Sequence, residues 1–248
     1  MTKLLKLGTT ILATFALVAC GESGGGQGNE HLEINQEQAQ AKMQELAEGD
    51  GFYLKFNYSY SSTDNEGTDS SNGSMYYGMK GDVFWMGSED FDIAVKESET
   101  KYDYYRKEEG AWKYSSSMTK AQAEEYGLEK SYQQMATSWF YWGNAYDGQL
   151  KKGKDTTIAG RKCYTYTFDY NSGADARVAA QLAAQGVGQV SVKYEIAVDK
   201  ELGITMKVAI SGESSEGAGS LSYEVTEFKT GSAVEVPVLP AAQLVNND

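Results

Sequence analysis

The chain has 248 residues and a formal net charge of −13, and an acidic protein of this kind lacks the basic surface that nucleic-acid binding requires. Tyrosine, phenylalanine and tryptophan make up 12% of the residues, and there are only two prolines. This composition predicts a β-rich protein whose apolar surface consists largely of aromatic and methionine side chains.

The first nineteen residues have the pattern of a secretory signal peptide. Lys3 and Lys6 precede an apolar run from Leu7 to Ala19, and Cys20 follows directly. The run is well short of the roughly 20 residues that span a bilayer, so an uncleaved membrane helix fits less well. An ordinary cleaved signal followed by an incidental cysteine remains an alternative.

The stretch Leu17-Val18-Ala19-Cys20 resembles the lipobox of bacterial lipoproteins. The resemblance implies a signal peptide at 1–19 and acyl chains such as palmitate on Cys20. It also implies an exported protein, anchored by lipid to the cell membrane or the outer membrane. A mature chain of 229 residues with a net charge of −15 is repelled by anionic headgroups, so we expect the lipid to hold it there.

Four regions are predicted along the chain. Residues 1–19 are the signal, and residues 20–34 are the lipidated cysteine with a flexible Gly-rich tether. Residues 35–231 form a single half-barrel domain, and residues 232–248 form an extended or disordered tail.

The domain begins with a helix and a strand. Asn35 caps a helix that runs to about Ala47, and Gly49 ends it. Apolar and polar residues then alternate from Phe52 to Tyr60, which predicts a half-buried strand. The polar stretch 61–71 with the turn Asn72-Gly73 predicts a loop.

Short strands follow, with turns predicted at 80–82, 87–88 and 109–110. The inward-facing residues of the first of these strands are predicted to be Met75, Tyr77, Met79, Val83 and Trp85. Thr119 and Gln122 have the spacing of a capping box and predict the start of the main helix. That helix ends in the aromatic cluster Trp139-Phe140-Tyr141-Trp142.

The remaining chain is predicted as strands with one interruption. Residues 162–170 alternate as a strand, and the Ala-rich stretch 172–186 predicts a short helix. The segments 190–198, 204–210 and 221–225 predict three antiparallel strands joined in a meander. The fold class is therefore α+β and mainly antiparallel β, with a large curled sheet or half-open barrel whose concave face is covered by helices.

This layout resembles the bacterial lipoprotein-carrier superfamily typified by LolA, LolB and LppX. Its local matches are the turn-and-strand segments 157–164 and 196–207. The resemblance implies a half-open barrel with helices across its mouth that holds acyl chains inside. It includes no catalytic signature.

Residues suited to catalysis are scarce. The only histidine is His31, in the tether, so we expect neither a histidine-based triad nor a zinc site. Cys163 has no histidine in the folded region to activate it. Acidic pairs such as Glu108-Glu109 indicate solvated surface, and 64–69 indicates a hairpin loop in preference to a calcium loop. We expect no enzyme activity and no cofactor.

Methionine and aromatic side chains are the candidate ligand contacts. They are Phe56, Met79, Trp85, Trp139, Phe140, Trp142, Tyr166 and Met206. Filling of a core is the favoured interpretation of the five outside the Trp139–Trp142 cluster. The main hypothesis is a monomeric membrane lipoprotein that binds a lipid, a lipoprotein acyl chain or another apolar ligand, as a carrier or a sensor. The alternative is an envelope interaction module with a solid core that binds a protein or a glycan through its surface.

Overall fold

The computed structural model describes residues 32–65, 67–125, 150–174, 180, 188–214 and 217–242. Two helices are α1 (Gln36–Glu48) and α2 (Lys120–Glu125), and short 3-10 turns span Ser172–Ala174 and Gly231–Ala233. The strands are β1 (Phe52–Asp64), β2 (Gly67–Lys80), β3 (Val83–Ser88), β4 (Asp92–Glu97), β5 (Lys101–Glu108), β6 (Ala111–Thr119), β7 (Lys151–Lys152), β8 (Thr156–Ile158), β9 (Arg161–Asn171), β10 (Ser191–Asp199), β11 (Thr205–Ser214) and β12 (Gly217–Thr230).

The strands form one 12-stranded sheet. Their order is β6-β5-β4-β3-β2-β1-β12-β11-β10-β9-β7, and β8 also pairs with β9. The pairings from β2 to β6 and from β9 to β12 are antiparallel. The predicted class, α+β with a large and mainly antiparallel sheet, is confirmed.

The chain divides into two compact units. The first comprises Met1–Gln36, Tyr58–Asn72 and Tyr141–Glu224, and its described part contains β7 to β11. The second comprises Glu37–Asn57, Gly73–Phe140 and Val225–Asp248, and its described part contains β3 to β6. Strands β1, β2 and β12 contribute residues to both.

Helix α1 confirms the first predicted element. Ala39, Met43 and Ala47 lie four residues apart, and all three are buried, so they form one apolar stripe. The helix ends where predicted: the Gly49 N–H donates to the Glu45 carbonyl at 3.1 Å, and the Gly51 N–H donates to the Leu46 carbonyl at 2.7 Å.

The predicted loop at 61–71 is wrong, because β1 continues to Asp64 and β2 begins at Gly67. The turn lies between them, where the Gly67 N–H donates to Asp64 Oδ1 at 3.1 Å. Strand β1 is central, between β2 and β12. Backbone hydrogen bonds to both neighbours therefore hold its polar second half in a strand, although few of the side chains there are buried. The predicted turns at 72–73 and 87–88 likewise lie inside β2 and β3.

The capping box at the start of α2 is confirmed. The Thr119 N–H donates to Gln122 Oε1 at 2.9 Å, and the Gln122 N–H donates back to Thr119 Oγ1 at 3.2 Å. The rest of the predicted helix, 126–142, lies outside the described residues, as does nearly all of the helix predicted at 172–186.

The predicted meander is confirmed as β10, β11 and β12. Ile196 pairs with Val208, and Val208 pairs with Tyr223, so the three side chains lie on one side of the sheet. The register shifts between Ala197 and Val198, which leaves Met206 as the extra residue of a bulge.

The segment after Gly231–Ala233 is extended and packs against the second unit. Val234 is buried with Val83, Trp85, Ala94 and Tyr105. Val236 and Leu239 pack against the same group, whereas Val238 is 90% exposed.

Candidate functional site

An apolar face lies on one side of β9 to β12 in the first unit. Pairing places Tyr194 between Phe168 and Ile210, and Ile196 between Tyr166 and Val208. We define this apolar face by eight of its buried members, which are Tyr166, Phe168, Val192, Tyr194, Ile196, Val208, Ile210 and Tyr223.

The opposite side of the same strands is polar. Lys207 Nζ lies 2.9 Å from Glu195 Oε1 across β10 and β11, and Lys193 is exposed. The alternation along each strand therefore separates an apolar surface from a solvated one, as expected for an antiparallel sheet.

Tyrosine hydroxyls are the polar groups of the apolar face. The Tyr223 hydroxyl donates to the Thr205 carbonyl at 2.9 Å. The buried Tyr166 hydroxyl lies near the Glu33 backbone N–H, which favours its ionised form, and it donates to no described residue. Burial raises the pKa of both side chains, so both hydroxyls stay protonated and uncharged at neutral pH. Tyr166 is thus able to donate to a polar group of a ligand.

The candidate ligand residues fall in different places. Tyr166 belongs to the apolar face, and Met206, fully buried, belongs to the same unit. Phe56 and Met79 are buried in the second unit. Cys20 and the predicted contacts Trp139, Phe140 and Trp142 lie outside the described residues.

Trp85 lies on the opposite side of the sheet from Met79. Met79 pairs with Phe84, and Gly78 pairs with Trp85, so the two side chains point to opposite faces. The Trp85 ring packs so closely on Gly78 that a Cβ there would lie 2.3 Å from it. The alternation of the sequence predicts that both side chains are buried. Both are buried, because the two faces of the sheet are both covered at this point. Trp85 therefore fills the core beneath Val234 and is not part of the apolar face.

A basic edge borders the apolar face beside β9. Lys152 Nζ lies 4.2 Å from the centre of the Tyr164 ring, and Lys200 Nζ lies 4.3 Å from it. Lys152 also lies 2.6 Å from Glu33 Oε1, and Lys200 is paired with Asp155. We define the basic edge as Lys151, Lys152, Lys154, Lys162 and Lys200.

A buried carboxylate stands at the turn between β10 and β11. Asp199 is 1% exposed and accepts hydrogen bonds from Nε and Nη2 of Arg161. Its Oδ1 also accepts from the backbone N–H groups of Glu201 at 2.9 Å and Leu202 at 2.7 Å. Sequence reasoning does not find this pair, because its only signal is a turn aspartate 38 residues from an arginine.

Cys163 is fully buried next to this pair. Its Sγ donates to the Arg161 carbonyl at 3.5 Å, and burial raises its pKa to about 11. A thiol with that pKa is almost entirely protonated at neutral pH and makes a poor nucleophile.

The described residues present neither a metal-binding cluster nor a membrane-spanning helix. No group of three or more histidine, cysteine, aspartate or glutamate side chains in this part of the chain is placed to hold a metal ion. None of the described helices has the length and apolarity needed to cross a bilayer.

The fold and this site define a class: a protein with one large antiparallel sheet and a one-sided apolar face. No protein-family model and no curated protein matches the chain. Among solved structures, MucB in complex with MucA(peri) is similar over 81% of this chain and 57% of that one, with 11% identity and a TM-score of 0.29. The chain thus spans little more than half the length of that structure.

Two further structures match nearly over their full length. LprF from Mycobacterium bovis is 11% identical, with a TM-score of 0.27, over 82% of this chain and 95% of that one. The LolA superfamily protein NE2245 from Nitrosomonas europaea is 11% identical, with a TM-score of 0.24, over 82% and 96%. The superfamily that the sequence resembles is thus represented among these structures. With such identities and TM-scores, the matches assign neither an activity nor a ligand to this chain.

Proposed function

We propose that this protein is a cell-envelope lipoprotein, anchored through acylated Cys20, that binds a lipid or another apolar ligand against the apolar face of β9 to β12. It acts as a carrier or a sensor and performs no catalysis. The lipobox pattern supports the anchor.

The apolar face is the observation that supports ligand binding. Its eight side chains are all buried, and they include three tyrosines and a phenylalanine, which make large apolar contacts. The Tyr166 hydroxyl adds a donor to a surface whose other groups are mostly apolar. Sites for small apolar ligands combine these two features, mostly apolar walls and a few polar groups that fix orientation.

The chemistry of the described residues supports a non-catalytic role. The buried Cys163 thiol is protonated, and the buried Asp199 carboxylate is held by Arg161 and by two backbone N–H groups. Both groups act inside the fold and neither is presented to a substrate.

Photo-cross-linking tests the proposed site. The purified protein is incubated with a long-chain fatty acid that carries a diazirine, irradiated and digested. We expect cross-links in β9, β10 and β11 that an excess of unlabelled fatty acid removes. Mass spectrometry of organic extracts of the native protein identifies any ligand that co-purifies.

Two controls define the outcome. Peptides around Trp85, which is buried in a separate core, should stay unlabelled, and so should the exposed Val238. Equal labelling at these positions, or no displaceable labelling together with a clean organic extract, would contradict the proposal. The clean extract would favour an interaction module with a solid core.

A further inference from the structure

We infer that the basic edge docks on anionic lipid headgroups of the membrane that holds the anchor. The inference rests on the proposed acylation of Cys20. It assigns an orientation to the first unit, with the basic edge facing the lipid surface.

The charge of this edge is opposite to that of the whole chain. Residues 150–163 contain five basic residues and one acidic residue, in a protein with a net charge of −13. Lys151, Lys154 and Lys162 form no ion pair with any described residue, and all three are exposed. Their ammonium groups are therefore free to meet anionic groups outside the protein.

The neighbouring carboxylates are already engaged. Glu33 pairs with Lys152, and Asp155 pairs with Lys200. Asp199 and Glu201 both pair with Arg161. The region has six basic groups, which are the five lysines of the basic edge and Arg161, against these four carboxylates. Its net charge is therefore +2. The rest of the chain is correspondingly more acidic.

The strand geometry places these lysines along one edge of the sheet, with Lys151 and Lys152 on opposite faces of the outer strand. Lys152 pairs with Tyr166, and Thr156 pairs with Cys163. Between these two pairs the outer segment advances four residues while β9 advances three, so the outer segment contains one extra residue. The extra residue lies within Gly153–Asp155, a bulge that contains Lys154. Lys200 reaches the same place because its N–H donates to the Lys162 carbonyl at 2.9 Å.

Protection of a sheet edge is the simpler explanation of edge lysines, since they prevent pairing with another sheet. It accounts for Lys151, Lys152 and Lys154, which lie on the outer segment. It does not account for Lys162, on the inner strand β9, or for Lys200, in the turn after β10. These two extend the charge beyond the edge itself.

The chain enters the domain at this same place. Leu32 is buried, and the next residue, Glu33, pairs with Lys152 at 2.6 Å. Eleven residues lie between Cys20 and Leu32, so twelve Cα-to-Cα steps join the two. Even fully extended, they span at most about 43 Å. An acyl group on Cys20 therefore limits Leu32, and the Glu33–Lys152 pair beside it, to within about 43 Å of the lipid surface.

Charge and anchor reinforce each other. Lipid chains combined with a basic patch bind membranes more firmly than either signal alone. Each basic side chain near an anionic leaflet strengthens binding about fivefold. The attraction extends over about 8 Å at physiological salt, so it acts only when the edge is close to the surface. A net acidic protein thus docks through one face.

Lysine acetylation of the acylated full-length protein tests the docking. The protein is inserted into vesicles of phosphatidylcholine alone or of phosphatidylcholine mixed with phosphatidylglycerol, and acetylation rates are read by mass spectrometry. We expect Lys151, Lys154 and Lys162 to react at least about fivefold more slowly on the anionic vesicles. Salt at about 1 M, which shortens the screening length to about 3 Å, should remove the difference. The exposed Lys55, in the second unit, should react equally on both.

A matched pair of variants separates the edge from total charge. We also expect anionic vesicles to slow the acetylation of Lys152 and Lys200, and K151E/K154E/K162E should abolish that protection. K55E/K96E/K113E changes the net charge by the same amount and should preserve it. Equal rates on both kinds of vesicle, in protein whose intact mass shows an acyl group on Cys20, would overturn the docking and leave the anchor standing. Protein whose intact mass shows no acyl group would overturn both the docking and the proposed anchor.

Discussion

Asp199 shows, at the scale of single residues, how one buried charge organises a turn. Its two oxygens hold the Arg161 guanidinium and two backbone N–H groups, so nearly all of its acceptor capacity is used. A carboxylate that is 1% exposed is tolerated because it is paired and hydrogen-bonded in this way.

Asp199→Ala should destabilise the fold by about 3–5 kcal/mol, because it leaves a half-buried guanidinium and two N–H groups without their acceptor. Asp155→Ala removes a pairing whose carboxylate is 58% exposed and should cost less than about 1 kcal/mol. Urea unfolding measures both free energies. Similar values for the two variants would show that burial does not decide the contribution of these pairs.

Cys163 should be almost inert in the folded protein. Its pKa of about 11 lies about two units above the ordinary value, so the thiolate is roughly a hundredfold scarcer at pH 8 than in the unfolded chain. We expect alkylation by iodoacetamide to be at least about a hundredfold slower in buffer than in urea. Rapid alkylation of the native protein would show that the thiol is accessible and ionised.

The same shift predicts a dependence of stability on pH. The folded thiol keeps its proton more tightly than the unfolded thiol. Cys163 therefore lowers the free energy of unfolding as pH rises from about 9 to about 11, and has no effect below that range. Cys163→Ser, which does not titrate there, should flatten this part of the urea-stability profile.

At the scale of elements, the C-terminal segment acts as the cover of a second core. The β2 to β5 strands bury side chains on both faces, with Met79 on one and Trp85 on the other. Residues 234–239 pack on the Trp85 side, so a segment without secondary structure completes that core. An extended tail was among the predictions, but periodicity carried no sign that it packs.

Two valines of this segment form a matched pair. Val234→Asp places a charge where the side chain is 5% exposed and should destabilise the protein by about 2–4 kcal/mol. Val238→Asp, at a position that is 90% exposed, should change stability by less than about 0.5 kcal/mol. Urea unfolding followed by tryptophan emission measures both. Equal effects would mean that the segment does not cover the Trp85 core.

Elements with a strong local signal were predictable. The Thr119–Gln122 capping box and the three-strand meander depend on residues a few positions apart, and both were confirmed. The polar half of β1 was not predictable from its own residues. Its strand conformation depends on neighbours on both sides, one of which, β12, lies far away in sequence.

At the scale of the whole molecule, the main prediction concerns the anchor. Cys20→Ala should abolish incorporation of labelled palmitate. It should also move the protein from the membrane fraction to the soluble fraction. Cys163→Ala should keep full incorporation, because that thiol is buried and protonated. Metabolic labelling with cell fractionation reads both variants. Label that persists in Cys20→Ala would place acylation elsewhere.

The candidate site was only partly predictable. Alternation identified Tyr166 as a member of an apolar strand face, but no local pattern distinguishes that face from an ordinary core. The basic edge depends on Lys152, Lys162 and Lys200, which come from three separate segments. That Lys152 and Lys200 both meet the Tyr164 ring follows from pairing between segments, which single-sequence periodicity does not encode.

By itself the sequence determined the elements that local physics controls: the caps, the alternation of the strands, the antiparallel class and the lipobox pattern at Cys20. Only the tertiary structure decided which faces are buried, that Trp85 and Met79 point apart, and that Arg161 holds Asp199. The physical reason is range. Dihedral preferences and side-chain periods act over a few residues, whereas register, burial and charge pairing depend on segments that folding brings together.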